Sequence, residues 1–364
     1  MNTRYHLFRI HEKEGFGVLT PALALLSIFY GLAVRTRAKA WEHRKRDALP
    51  GFVLSIGNLT VGGTGKTPAA MMLAKWALKE GHRVAVLSRG YGGTYRGETL
   101  EVTDGHNIQA GPEEAGDEPY LMASRLEGVP VILAKRRYLA GLHAHRRFQS
   151  NFFILDDGFQ HLSLNRDLDL VLIDAVRPFG NGHLLPWGHL REPVAHLARA
   201  DAYLLTKAPA AGDMEGNLSR YLKAGLPARP AFNSEHRPGR VVFPNRKEAY
   251  DPARLRGKRI LAFAGIARPE RFRHMLEGLG AELLFFQVFR DHYEFTPGDI
   301  WELMDLKDHL RADYILTTEK DWVRLKGQMD DPDLAYLTIR LDLGSDFDGL
   351  VSLIRERLRA RGKY

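Results

Sequence analysis

Cysteine is absent from the 364 residues, which excludes disulfides, thiolate-bound zinc and iron–sulfur clusters, so any metal must be held by oxygen or imidazole ligands. Internal repeats and low-complexity tracts are also missing. A content of 45% hydrophobic and 26% charged residues is that of an ordinary globular protein, and the length suffices for two cores. The formal charge of +8 is unevenly spread, because Met1–Pro50 carries nine Lys/Arg against four Asp/Glu. That local excess favours contact with an anionic surface near the N-terminus. Basic residues are not interleaved with aromatics in the manner of a nucleic-acid recognition module, so nucleic acid is not an expected partner.

Long uncharged runs are scarce, with one exception. Gly15–Val34 contains no charged side chain and is followed by Arg35, Arg37, Lys39, Arg44, Lys45 and Arg46. Twenty helical residues reach about 30 Å, roughly one hydrocarbon core. Pro21, three glycines, Thr20, Ser27 and Tyr30 lower its hydropathy, and it starts too late and lacks a clear cleavage site for a signal peptide. The expectation is an apolar N-terminal helix within residues 1–40 that associates with a membrane, spanning it or lying in its interface. The basic residues that follow would face the cytoplasmic leaflet. A helix buried against the protein is the alternative.

Phe52–Gly57 is strand-like and leads into Thr60-Val61-Gly62-Gly63-Thr64-Gly65-Lys66-Thr67-Pro68, after which Ala69 to about Glu80 favours helix. This is the pattern of a phosphate-binding loop. Glycines let backbone N–H groups close around phosphate oxygens, Lys66 adds a point charge, and the Thr67 hydroxyl suits Mg²⁺. Thr60 through Thr67 are therefore the candidate ATP-binding residues, with one departure: Thr60 stands where the general pattern has its first glycine. Further along, Arg83–Ser88, Val129–Leu133, Phe152–Leu155, Leu168–Ile173 and Ala202–Thr206 read as strands, with helices at Glu118–Leu126 and Arg137–Phe148. Strands and helices in alternation predict an α/β fold built on a doubly wound, mostly parallel sheet. A shift to Ala, Gly and Pro at Ala208–Arg229, then new strands at Arg259–Ala264, Ala281–Phe289 and Tyr314–Thr318, suggests a smaller second α/β domain. The expected division is 41–229 for the phosphate-loop domain and 230–364 for the second.

Asn151–Leu155 is an apolar strand ending in Asp156 and Asp157, and carboxylates at such a strand end face the crevice where open α/β sheets bind ligands. One of them would hold Mg²⁺, a hard cation that takes oxygen ligands and bridges nucleotide phosphates. Ser88-Arg89-Gly90-Tyr91-Gly92-Gly93 follows another strand, and Lys135-Arg136-Arg137 opens a helix; both are candidate phosphate grips. Asp117 and His292 lie far apart, and nothing in their spacing pairs them.

Taken in order, Gly57-Asn58-Leu59-Thr60, Ser88-Arg89-Gly90-Tyr91-Gly92, Gly116-Asp117-Glu118-Pro119, Asp156-Asp157-Gly158-Phe159-Gln160-His161, Leu190-Arg191-Glu192-Pro193, Asp291-His292 and Thr318-Glu319-Lys320-Asp321 resemble one family closely. It is that of the tetraacyldisaccharide 4′-kinases, which phosphorylate the lipid A precursor at the cytoplasmic face of the bacterial inner membrane. The resemblance covers nearly the whole chain. It implies ATP and Mg²⁺ as cofactors, the tetraacyldisaccharide 1-phosphate as lipid substrate, an anionic membrane surface as partner, and action as a monomer. It further implies Lys66 and Thr67 on the ATP phosphates and Mg²⁺, with Asp156, Asp157, Gln160 and Glu192 around the metal. Asp117 is the implied base toward the sugar 4′-hydroxyl, with His292 of the second domain orienting it once the two domains close. Arg89, Tyr91, Lys135, Arg136 and Arg191 are implied phosphate or sugar contacts. Pro186-Trp187-Gly188-His189-Leu190 is bulkier than the family's small-residue version of that stretch. A rival reading is a membrane-positioning ATPase that cycles between dimer states, whose loop usually begins with lysine where this chain has Val61.

Overall fold

The computed structural model describes residues 20–206, 228–325 and 327–362. Most of the Ala208–Arg229 composition shift and the start of the Gly15–Val34 run lie outside them. The first described element is helix α1, Thr20–Glu42. Among the described residues no helix is long and apolar enough to cross a membrane.

Two compact units are present, one of Met1–Arg89, Ile132–Glu235 and Asp342–Tyr364, the other of Gly90–Val131 and His236–Leu341. A single division near residue 230 does not describe this arrangement. In the first unit the parallel strands β1 (Phe52–Asn58), β5 (Phe152–Asp156) and β6 (Leu168–Asp174) lie side by side, with β1 in the centre. β2 (Val84–Ser88) extends the sheet beyond β5, and β7 (Ala202–Thr206) extends it beyond β6. Every residue of these five strands is buried, as expected of strands covered on both faces. One core, with Leu49, Val53, Leu87, Phe153 and Leu155, lies under helix α5 (Arg137–Phe148). Another, with Leu59, Phe159, Val171, Leu190 and Tyr203, lies beneath the loops that follow β1 and β5. Helix α9, Asp346–Arg361, returns from the far end of the chain to this unit. Arg355 pairs with Glu80 and Arg357 with Asp201, at 2.9 and 3.0 Å.

The second unit has its own parallel strands, with β10 (Arg259–Ala264) between β11 (Glu282–Val288) and β12 (Tyr314–Thr318), and β13 (Leu334–Asp342) next to β12. Segment 90–131 belongs here because of what α4 (Asp117–Arg125) touches. Its Tyr120 and Leu121 cluster with Val323 of α8 (Glu319–Leu325). Arg125 pairs with Glu319, and Lys320 with Glu118.

Strand β8, Ala231–Phe243, contains Pro238 and Gly239, which read as breakers in a sequence. Its pairs with β7 cover Ala231–Ser234 and its pairs with β9 (Glu248–Tyr250) cover Val241–Phe243. The proline falls between the two paired stretches, so these two ladders keep their donors.

Gly57 of β1 has no room for a side chain: a Cβ there would lie 2.5 Å from the Phe159 Cβ and 2.7 Å from its backbone nitrogen. Gly57→Ala is therefore expected to lower stability by about 1–3 kcal/mol, measured as a reduced midpoint of chemical unfolding. An unchanged midpoint would contradict this close approach.

Candidate active site

In the first unit the phosphate loop joins β1 to α2 (Lys66–Lys79), and the loops after β1, β2 and β5 emerge at the carboxyl ends of neighbouring parallel strands. Gly62 and Gly65 have φ of +106° and +90°, backbone that other residues rarely adopt. No atom would obstruct a Cβ at Gly62 or Gly63 within 4 Å, so both face open space. Lys66 and Thr67 begin the helix, where backbone N–H groups lack helical partners and favour anions.

Asn58, the last residue of β1, is fully buried and organises the loop. Its Nδ2 donates to the Thr60 carbonyl at 2.7 Å and to Thr64 Oγ1 at 2.9 Å. Its Oδ1 accepts from Lys66 Nζ at 3.2 Å. Its backbone carbonyl accepts from Gln160 Nε2 at 2.9 Å. The sequence pattern contains Asn58 but gives it no role; the signal would have been a polar residue closing an apolar strand.

Asp156 is buried and accepts from Ser88 Oγ at 3.2 Å. Asp157, at φ +52°, takes Arg191 Nη1 at 2.7 Å and stands 3.6 Å from Lys66 Nζ. Burial opposes its ionisation, but Lys66, Arg191 and Arg137 hold its carboxyl below the usual range. Lys66, Asp157 and Arg191 thus form one chain of charges. Glu192 is also buried, and its Oε2 accepts from Arg199 Nη2 at 2.7 Å and contacts His196 Nδ1 at 2.6 Å. Burial works against its charge as well, and His196 and Arg199 prevail. Neither partner stands out in the sequence.

Among the described residues no three His, Asp or Glu side chains gather as a metal cluster. Mg²⁺ beside a nucleotide takes few protein ligands, because phosphate oxygens and waters supply the rest. The Thr67 hydroxyl and the Asp156 and Asp157 carboxylates are oxygen donors of the right kind, so the residues present fit that ion. Of the implied phosphate and sugar contacts, Arg191 is in the charge chain. Arg89, Lys135 and Arg136 are exposed, and Arg136 pairs with Asp47 at 3.4 Å. The buried member of that basic run is Arg137, 3% exposed, with burial pushing its guanidinium down to about 10. His161, half-buried and faced by Arg137, Arg166, Arg37 and Arg89, is driven down to about 3 by desolvation and these charges and stays neutral.

The second unit holds Asp117 and His292 together. Asp117 opens α4 after Gly116, whose φ is +88°. Its Oδ2 lies 2.9 Å from His292 Nδ1 and accepts from Arg324 Nε at 2.8 Å. Arg324 also reaches Asp321 Oδ1 at 3.0 Å and the Gly265 carbonyl at 3.1 Å. Asp321 is fully buried and accepts from Thr318 Oγ1 at 2.6 Å and from the Gly265 N–H at 3.0 Å. His292 has φ +58° and donates its backbone N–H to the Gly265 carbonyl at 3.2 Å. The pair lies inside one compact unit, formed by Gly90–Val131 and His236–Leu341. Tyr91, 82% exposed, belongs to this unit too. Arg324 has a sequence signal only in retrospect, three residues beyond Asp321 on a short helix.

Burial raises the Asp117 pKa, but His292 and Arg324 outweigh it and hold the carboxyl below its ordinary value. Removing a cation at hydrogen-bond distance favours the protonated form, so Arg324→Gln should move the Asp117 titration midpoint upward. Carbon-13 NMR of the carboxyl reads this directly, and an unmoved midpoint would show that Arg324 is not its controlling charge.

Comparison with known proteins shows the family. The family model for tetraacyldisaccharide-1-P 4′-kinase (LpxK) matches residues 19–359. The tetraacyldisaccharide 4′-kinase of Pelobacter propionicus is 40% identical over 327 residues, 89% of this chain and 88% of the relative. That of Anaeromyxobacter sp. strain Fw109-5 is 42% identical over 353 residues, 96% of this chain and 94% of the relative. The crystal structure of LpxK from Aquifex aeolicus in complex with ATP superposes with a TM-score of 0.75 at 33% identity, covering 94% of this chain and all of that one. With a family model spanning most of its length and relatives at this identity, the chain belongs to the tetraacyldisaccharide 4′-kinase family.

Proposed function

We propose that this protein transfers the γ-phosphate of ATP to the 4′-hydroxyl of a tetraacyldisaccharide 1-phosphate, giving the 4′-phosphorylated lipid A precursor, lipid IVA. The observation that carries a kinase over a cycling ATPase is the Asp117, His292 and Arg324 cluster. The His292 and Arg324 contacts to the Asp117 carboxylate both fall on Oδ2, which leaves Oδ1 to receive a proton from an acceptor hydroxyl. An ATPase that uses water and cycles between dimers has no need of such an acceptor base, and its usual loop lysine is Val61 here.

The roles follow from residue chemistry. Backbone N–H groups of the phosphate loop cradle the nucleotide phosphates, and Lys66 neutralises charge on them. Thr67 and the acidic pair Asp156 and Asp157 would hold Mg²⁺, which when bound draws charge from the phosphate oxygens. Arg191 and Lys66 keep Asp157 ionised and in place. Gln160 and Glu192 complete this polar surround. Asp117, kept charged by Arg324 and oriented by His292, takes the sugar hydroxyl proton. A depressed pKa suits a loose transition state, in which little proton transfer is needed before the phosphoryl group has left.

The acceptor is an amphiphile, and helix α1 suits one. Leu25, Leu26, Ile28, Phe29 and Leu32 are 54–66% exposed on its outer side. A shallow groove of about 570 Å³ runs along it, with Phe29, Leu32 and Trp41 beside Arg37 and Arg44. Apolar side chains next to guanidiniums match acyl chains below anionic headgroups. We propose that the protein works at the cytoplasmic face of a bacterial inner membrane, and that it acts as a monomer.

Incubation with γ-labelled ATP, Mg²⁺ and tetraacyldisaccharide 1-phosphate should move label to the lipid. Lipid-independent ATP hydrolysis without transfer would favour the cycling ATPase. Asp117→Asn should lower kcat by about 10²–10⁴-fold with ATP binding retained, whereas Lys66→Ala should weaken both; equal loss of ATP affinity in Asp117→Asn would remove its role as base. Replacing Ile28 and Phe29 together by serine should reduce co-sedimentation with anionic vesicles and raise the lipid KM more than the ATP KM. Undiminished vesicle binding would rule out this face.

A further inference from the structure

The inner side of α1 has a different task from its outer side. Thr20, Leu23, Ser27 and Gly31 form its buried stripe, at the three- and four-residue spacing of one helical face. A Cβ at Gly31 would lie 2.7 Å from Leu184 Cδ1, so the helix sits directly on the 184–191 loop. Ser27 Oγ donates to the Leu184 carbonyl at 2.9 Å, Tyr30 OH donates to the Arg191 carbonyl at 2.9 Å, and Arg37 Nη2 donates to the Gln160 carbonyl at 3.0 Å. All three acceptors are backbone groups. The bonds therefore fix the path of the chain rather than one rotamer.

That path matters because of what lies on its other side. The Arg191 N–H donates to the Leu59 carbonyl at 2.7 Å and the Val61 N–H to the His189 carbonyl at 2.8 Å. Residues 189–191 are strung between α1 and the start of the phosphate loop. Arg191 is the guanidinium partner of Asp157, Glu192 is its neighbour, and Gln160 grips the Asn58 carbonyl. Burial and the Glu192 charge push the Tyr30 phenol up, so it remains a protonated donor.

We propose that α1 is a positioning element of the nucleotide site, in which Tyr30, assisted by Ser27 and Arg37, holds the loops that aim Arg191, Glu192 and Gln160, so that its seating sets affinity for Mg²⁺-ATP even without lipid. This rests on the nucleotide-binding reading of the phosphate loop. A helix serving only to meet lipid would leave nucleotide affinity indifferent to its inner face.

The test is the dissociation constant of a fluorescent ATP analogue with Mg²⁺, measured on the full-length protein without lipid or vesicles. Tyr30→Phe removes one hydroxyl and keeps the ring. It is expected to weaken binding about three- to tenfold, the loss of one hydrogen bond, with the thermal midpoint within a few degrees of wild type. Arg37→Met keeps the apolar stem and should act in the same direction. Lys66→Ala reports on the loop itself. If the wild-type protein binds no nucleotide, the phosphate-loop reading fails and this proposal with it. If wild type binds, Lys66→Ala weakens binding, and Tyr30→Phe and Arg37→Met bind as wild type, the proposal alone is overturned and α1 is a lipid-facing helix only.

Discussion

One buried amide holds the phosphate site together. Asn58 sits where β1 ends, away from solvent, and an amide there is costly unless its donors and acceptor are met. Thr60, Thr64 and Lys66 meet them from the loop that follows, and Gln160 meets the Asn58 carbonyl from the loop after β5. The loop is thereby shaped before any phosphate arrives, with Lys66 already turned toward Asp157. Pre-shaping matters in phosphoryl transfer because positioning and fixed charge do most of the work.

The two units use charge in related ways. Asp157 and Asp117 are each partly withdrawn from water, which disfavours a carboxylate, and each is kept ionised by an arginine at hydrogen-bond distance, Arg191 in one case and Arg324 in the other. Both arginines are themselves tied to backbone: Arg191 through its own N–H and carbonyl, Arg324 through the Gly265 carbonyl. A charged group fixed in this way loses little on meeting a ligand, since its ordering was accomplished during folding.

Local chemistry was legible in the sequence. The phosphate loop, the acidic pair after β5 and most strands could be read because glycine, lysine and β-branched residues act over a few positions. What could not be read depends on distant residues. Asp117 and His292 are 175 positions apart, and only the folded unit brings them together. Segment 90–131 joins the second unit through pairs such as Lys320 with Glu118, 202 positions apart, so that unit draws on chain from both sides of the composition shift near residue 230. β8 escapes notice because Pro238 and Gly239 look like an interruption. Lys135 and Arg136 are exposed while the adjacent Arg137 is buried, and the sequence offers no means of telling which face of the helix start each one takes.

Neither unit is a continuous piece of chain, and this bears on how the protein is made. The second unit needs residues up to Leu341, and α9, which contributes Leu350, Val351 and Ile354 to the buried interior of the first, comes later still. During synthesis the usual order, in which an N-terminal domain completes itself while the rest is being translated, is therefore closed to this chain. The first unit's sheet can form early around β1 and β5, but the interior that Leu350, Val351 and Ile354 complete closes only after the strands of the second unit have been made.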